Sequence, residues 1–494
     1  MAIATSATPW LDSADWHAHI FCGGWRPGGA GTATVTNKAT GQALGEIGIA
    51  SAADVAVACE LAARVQPAWA ATPRAERERI IRRANDVLNE HAEEIVWWLV
   101  REGGGTVPKA QFEVFLTSAK FTVVADELRD GTFEETVKED ADIRSLAQRV
   151  PLGVVGVISP FNFPLYLAMR AVIPALAFGN AVVLKPDEQT AVGCGIAIAR
   201  IFAEAGLPDG LLHVLPGDVE PGEALTKDRN VHMIAFTGSS DVGRKVGAAA
   251  GAGLKRVSLE LGGNSPFIVL DDADLELAAS NGAWGSFLHQ GQICMASSRH
   301  LVHEKVAEKY AALLAEHAAR LPVGDPAENP QVALGPLINE TQVKRVDRIV
   351  QETVAAGATL VTGGTHEGAF YRPTVLTGVT PSMAAFREEI FGPVAPITTF
   401  ATDEEAIALA NGTEYGLSAG IISRSLERAR AIAAGLRTGI VHINDQTVDD
   451  DAHAPFGGVG ASGNGSRHGG RASLDEFTTW RWYTQRKTPP QYPF

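Results

Sequence analysis

The sequence predicts an α/β fold in two lobes, each a mostly parallel sheet covered by helices. Three observations predict it. From Arg149 onward, short apolar β-branched runs alternate with helical stretches of ten or more residues, the pattern of βαβ units. A second alternating series begins near Asn264 and continues past residue 400. The chain is 494 residues long, with 46% hydrophobic and 20% charged residues, so it can bury large cores and is not a disordered chain.

Residues up to about 55 are rich in Gly and Thr, and "NKATGQALGEI" reads as strand–turn–strand. Ser51 is placed to cap an Ala-rich helix. Residues 73–104 read as one amphipathic helix stopped by Gly103 and Gly104. The first lobe then follows: the apolar run "RVPLGVVGVISP", helix 163–179, strand 180–186, helix 190–206, strand 210–217, a short helix at 222–227, strand 231–239, helix 240–251 and strand 255–263. The polar, alternating stretch 126–150 reads as a protruding hairpin, and "LDEFTTWRWYTQR" as a strand in need of a partner edge.

Composition also excludes function classes. A formal net charge of −15 repels phosphate backbones, and no Lys/Arg run offsets it, so no nucleic-acid partner is expected. The most apolar stretch, 165–184, is broken by Arg170, Pro174 and Asn180, so no membrane span is expected. The N-terminus has no basic segment followed by an apolar one, and Cys22, Cys59, Cys194 and Cys294 are sparse and scattered, so the expectation is a reduced, cytoplasmic protein with no metal site.

Five short motifs carry candidate chemistry. In "FTGSSDVGRKV", a strand ending at Phe236 meets a helix through Gly238 and Ser239, with Val242 in the first turn; free N–H groups there suit a phosphate, though most such turns are plain connections. In "VVLKPDEQT", Lys185 and Glu188 sit past a strand's carboxyl end, where ligands bind, or form a solvated pair. In "SPFNFP", Asn162 can donate to an oxyanion or can simply prepare a helix start. In "SLELGGNSP", Glu260 lies at an apolar strand end, where its pKa rises as a general base needs, unless a lysine or the backbone satisfies it. Cys294 in "LHQGQICMASSR" is either a nucleophile or a small core residue.

Taken in this order, and with "EIFGP" at 389–393 and "PFGG" at 455–458, the motifs resemble those of the aldehyde dehydrogenase superfamily over nearly the whole chain. The resemblance implies a two-lobed α/β fold, both lobes Rossmann-type with parallel sheets, plus a β-hairpin oligomerisation arm. It divides the chain into an NAD-binding domain (1–125 and 146–258), a catalytic domain (259–465) and an arm (126–145 and 466–494). It implies Cys294 as nucleophile, Asn162 as oxyanion donor and Glu260 as the base for hydrolysis of a thioester. It implies a cofactor site from Ser159, Pro160, Phe161, Lys185, Glu188, Phe236, Gly238, Ser239, Val242, Leu261, Gly262, Glu389 and Phe391. The Glu188 carboxylate favours NAD over NADP. Two residues depart from the family's usual pattern: Phe161 stands where many relatives carry Trp, and Asn264 where a lysine is common.

The wording of the chain is similar to the benzaldehyde and vanillin dehydrogenase branch, which implies an aromatic aldehyde substrate. Tyr166, Leu167, Arg170, Phe287, Ile293, Val448 and Phe456 are the expected pocket residues, with Arg170 either holding a carboxylate or serving as a structural ion pair. The alternatives are an aliphatic or semialdehyde dehydrogenase, acyl transfer to coenzyme A, and a binding protein that keeps the fold without turnover. Glu260 argues against the second, and the intact trio of Cys294, Glu260 and Asn162 against the third. A homodimer or homotetramer is expected.

Overall fold

The computed structural model describes residues 9–494; the first eight, part of the N-terminal stretch discussed above, lie outside the described residues. The first sheet has seven strands. Five are parallel, in the spatial order Arg256–Glu260, Val231–Thr237, Val154–Ile158, Ala181–Lys185, Leu212–Val214. The short antiparallel strands His19–Phe21 and Trp25–Pro27 extend the edge. Within the parallel part, the chain starts at the central strand Val154–Ile158, winds outward through two neighbours, then returns to its other side. Strand order therefore reverses between Val154–Ile158 and Val231–Thr237, and a crevice opens past their carboxyl ends.

The helix Pro164–Ala177 connects the first two of these strands, and all of its residues are buried. It is apolar nearly all round, as a helix between layers must be. The second sheet also has seven strands, in the order Thr359–Thr362, Thr374–Thr377, Val394–Phe400, Arg299–His303, Pro266–Val269, Ser418–Ile422, Ile440–Ile443. Only its first pair is antiparallel. Separate apolar clusters cover its two faces, one around Ile349 and Phe386 and one around Phe267 and Tyr310.

A three-stranded antiparallel sheet stands apart from both: Thr478–Arg486 pairs with Ile143–Pro151, which pairs with Glu134–Glu139. The tail strand thus finds its edge on the hairpin. Among the described residues, no helix is long and apolar enough to cross a membrane.

Local chemistry accounts for the differences from the expected elements. The stretch read as one helix is two, Arg74–Glu90 and Ala92–Gly103, broken at His91 and ended by left-handed Gly104. The run from Arg149 splits at Gly153 into the end of the arm strand and the start of the central strand. The helix Val107–Asp130 continues through the first residues of the expected hairpin, whose strands begin only at Glu134. The helix expected at 190–206 opens with a widened π turn, Val192–Ile196. There the N–H groups of Val192 and Gly193 donate to the buried Glu102 carboxylate.

Ser51 does cap its helix, reciprocally with Asp54. The Asp54 carboxylate also accepts from the Gly29 N–H at 2.8 Å and pairs with Arg26 at 2.7 Å, stitching the sheet's outermost strand to the helix. Asp54→Ala is expected to cost about 2 kcal/mol of stability, the loss of a cap plus stranded donors. The readout is a lower urea midpoint with unchanged turnover per folded molecule.

Candidate active site

The crevice between the lobes holds two connected cavities. The larger, of about 610 Å³, lies along the carboxyl ends of the first sheet. The smaller, of about 280 Å³, leads to Cys294. Pro160, Phe161, Thr237, Gly238 and Ser239 line both, so they form one continuous groove.

Cys294 arrives on a turn that few sequences could adopt. His289, Gln290 and Gly291 are all left-handed, with φ of 49°, 57° and 67°. A Cβ on Gly291 would overlap the Gly392 carbonyl, so that position is confined to glycine. Buried amides hold the turn. The Gln290 side chain donates to the carbonyls of Gly104 and Pro336, both at 2.8 Å, and the Gln292 side chain accepts from the Ile338 N–H at 3.0 Å. Of the four cysteines, Cys294 alone is not fully buried. Its low-dielectric surroundings push the thiol up to about 12; Arg170 pulls it down, and Glu389 and Glu260 push it further up.

Glu260 ends the strand Arg256–Glu260 and lines the same small cavity. It is 3% exposed, yet neither carboxylate oxygen has a hydrogen-bond partner. Burial pushes it up to about 8 against the pull of Arg170 and Arg467. Asn162 lies in the short link between the central strand and the buried helix. Its Nδ2 donates to the Gln292 carbonyl at 2.9 Å, two residues before the thiol. Three distant segments thus bring a sulfur, a carboxylate and an amide to one cavity wall.

Glu389 shares that cavity, accepts from the Gly263 N–H at 3.0 Å and is pushed by burial up to about 7. Phe391, itself left-handed at φ 56°, meets Phe161 edge-on at 5.9 Å. Leu261 and Gly262 lie alongside. Ser159, Lys185, Phe236 and Val242 line the larger cavity, and Ser239 caps the helix Ser240–Ala252 there.

Glu188 does not line this cavity, whereas Asp187 and Asp218 do. Glu188 begins a tight turn, Glu188–Thr190, capped by the Asp187 carboxylate. Both aspartates and Glu188 still act electrostatically on Lys185.

Of the expected pocket residues, Tyr166, Leu167, Ile293 and Phe456 form one apolar cluster with Leu116, Phe163 and Met295, and Val448 and Cys294 pack against it. Phe287 does not belong to it. As the last residue of the helix Leu275–Phe287 it points into the second lobe's core with Phe267 and Tyr310. Arg170 stacks over the Phe456 ring at 4.4 Å and pairs with buried Asp450 at 3.6 Å.

Sequence reasoning missed Leu116, Phe163, Met295 and Asp450. Asp450 is the middle of three consecutive aspartates, and nothing in the sequence marks which one is buried. Leu116 comes from a helix with no motif. Among the described residues, only Glu90, His91 and Glu204 cluster closely enough to share a metal ion. Both glutamates there are already bonded, to Arg83 and, for Glu204, also to Trp10.

The profile described as the aldehyde dehydrogenase family matches residues 25–483. Vanillin dehydrogenase of an Amycolatopsis species is 51% identical over 98% of this chain and 99% of its own length. Benzaldehyde dehydrogenase [NAD(+)] of Pseudomonas putida is 50% identical over 97% of this chain and 98% of its own. Among solved structures, the NAD⁺ complex of betaine aldehyde dehydrogenase from Staphylococcus aureus superposes with a TM-score of 0.94 at 28% identity, covering 100% of this chain and 99% of that one. On this evidence of sequence and fold alike, the chain belongs to the aldehyde dehydrogenase family.

Proposed function

We propose that this protein oxidises aromatic aldehydes of the benzaldehyde and vanillin type to carboxylic acids with NAD. One observation carries the reading: the accessible Cys294 thiol sits where the long groove meets the aromatic-walled cluster, beside a buried carboxylate with no partner. Each half of the reaction then has a place, a dinucleotide along the groove and an apolar ring in the cluster.

The groove fits the cofactor. Its volume, the Ser239-capped helix start and Lys185 suit a dinucleotide, with Ser159, Pro160, Phe161, Phe236, Gly238, Val242, Leu261 and Gly262 as walls and Glu389 and Phe391 toward the nicotinamide end. The carboxylates of Asp187, Asp218 and Glu188 around Lys185 repel a 2′-phosphate, which favours NAD over NADP. When bound, NAD supplies the acceptor for the hydride that leaves the substrate carbon.

The residues do the rest. Cys294 forms a C–S bond to the aldehyde carbon. With the thiol pushed up to about 12, its proton must leave as that bond forms, to Glu260 or to a water beside it. The Asn162 amide and the Cys294 N–H hold the resulting oxyanion. After oxidation to the thioester, Glu260 takes a proton from water as it attacks the acyl carbon, the C–S bond breaks, and the acid departs. Asp450 pairs with Arg170 at 3.6 Å and offsets part of its charge, which weakens its attraction for a second carboxylate and disfavours a semialdehyde.

The division into a cofactor lobe (1–125 and 146–258), a catalytic lobe (259–465) and an arm (126–145 and 466–494) follows the same reading. The arm's exposed Trp482 and Tyr483 suit burial against a second copy, giving a homodimer or homotetramer.

Five outcomes test this. Benzaldehyde and vanillin are expected to exceed hexanal and succinic semialdehyde in kcat/KM, with NAD about a hundredfold better than NADP; a preference for the semialdehyde defeats the substrate assignment. Cys294→Ala abolishes NADH formation. Glu260→Gln keeps a single-turnover NADH burst but slows steady turnover by roughly 10²–10⁴. In the parent protein deacylation rises with pH until Glu260 ionises near 8, and the Gln variant lacks that limb; a shared profile removes Glu260 as base. In sedimentation the chain is expected at two or four times its 52.1 kDa, and a monomer mass refutes the assembly.

A further inference from the structure

The helix Val107–Asp130 carries a buried ion pair that the chemistry above does not use. Lys109 Nζ lies 2.6 Å from the Glu113 carboxylate, with side-chain exposures of 3% and 0%. Removing two charges from water costs more than their attraction returns unless further hydrogen bonds complete both groups. Here both are complete, and every added partner belongs to the segment around Asn162. Lys109 Nζ donates to the Asn162 backbone carbonyl at 2.7 Å and lies 4.1 Å above the Phe163 ring. The other Glu113 oxygen accepts from the N–H groups of Leu165 at 2.8 Å and Tyr166 at 3.1 Å, in the first turn of the buried helix.

Asn162 itself lies in no helix or strand. Its side chain has one partner, the Gln292 carbonyl. The link it occupies is therefore fixed at its carbonyl by Lys109 and just downstream by Glu113.

We propose that Lys109 and Glu113 are positioning residues that aim the Asn162 amide at the oxyanion. This rests on the oxyanion role given to Asn162 above. A donor displaced by about 1 Å can lose on the order of 10² in rate, so a link without a sheet ladder needs such a clamp. Two apolar side chains could fill the same space, but they could not hold a carbonyl on one side and two N–H groups on the other.

The test is a double-mutant cycle on the single-turnover NADH burst, with benzaldehyde and saturating NAD. Lys109→Met with Glu113→Gln removes both charges, keeps the volume and leaves no lone ion. The burst rate is expected to fall about 10- to 100-fold with aldehyde KM changed less than about threefold. In an Asn162→Ala background, the same pair is expected to change the rate less than about twofold, since the group it aims is gone. Equal losses in the two backgrounds, or no loss with Asn162 intact, overturn the inference while leaving the oxyanion reading standing. An unchanged burst in Asn162→Ala alone overturns both. Glu113→Asp, which keeps both charges and shortens the reach, is the second probe should the paired variant fold poorly. It is expected to slow the burst in the same direction and to lose that effect with Asn162→Ala.

Discussion

Two backbones meet without side chains between them at Gly263 and Cys294. A Cβ on residue 263 would overlap the Cys294 carbonyl oxygen, so the segment after Glu260 and the thiol-bearing turn can close only because that position is glycine. This close approach brings the segment that follows Glu260 against the turn that carries Cys294. Both sides are then held from outside. Ser462 bonds the Gly262 carbonyl at 2.7 Å and offers its own carbonyl to the Leu261 N–H at 3.0 Å, while Gln290 and Gln292 tie down the turn. Almost all the irregular backbone in this region is satisfied by amides, hydroxyls or carbonyls, as buried backbone requires.

Against that framework the unsatisfied groups stand out. Glu260 is buried with both oxygens free, and burial pushes its carboxyl and the Cys294 thiol toward their protonated forms. The counterweight common to both is Arg170, which draws them back toward their charged forms. Asp450 partly neutralises it and holds it over Phe456. Its cost as a buried cation is thus met by an anion and a ring, and its field still reaches the reacting groups.

Much of this was legible in the sequence because period and punctuation reflect the same physics as the fold. Alternating apolar runs gave both parallel sheets, and the Ser51 cap appears where Ser precedes an Ala-rich periodic stretch. Motif order singled out Cys294, Glu260 and Asn162 as candidates, and three separate segments carry them to one cavity. Misreadings arose where a tertiary contact overrode a local pattern. Glu188, expected at the ligand crevice, follows the lining residue Asp187 in a capped turn and still acts on Lys185 through its charge. Phe287 lies seven residues before the thiol, yet its helix faces the opposite core. Lys109 and Glu113 belong to no motif, and their i,i+4 spacing is also that of an ordinary surface pair, so nothing local marks them as buried.

The apolar cluster and the thiol-bearing turn hang on different parts of the scaffold. Tyr166, Leu167 and Leu116 project from helices, and Val448 and Phe456 from a loop near the tail, while Cys294 and Glu260 sit beside glycines whose places admit no side chain. Evolution can therefore reshape which rings fit by changing wall residues one at a time. The turn and the strand end that carry Cys294 and Glu260, locked by backbone crowding, are left in place by such changes.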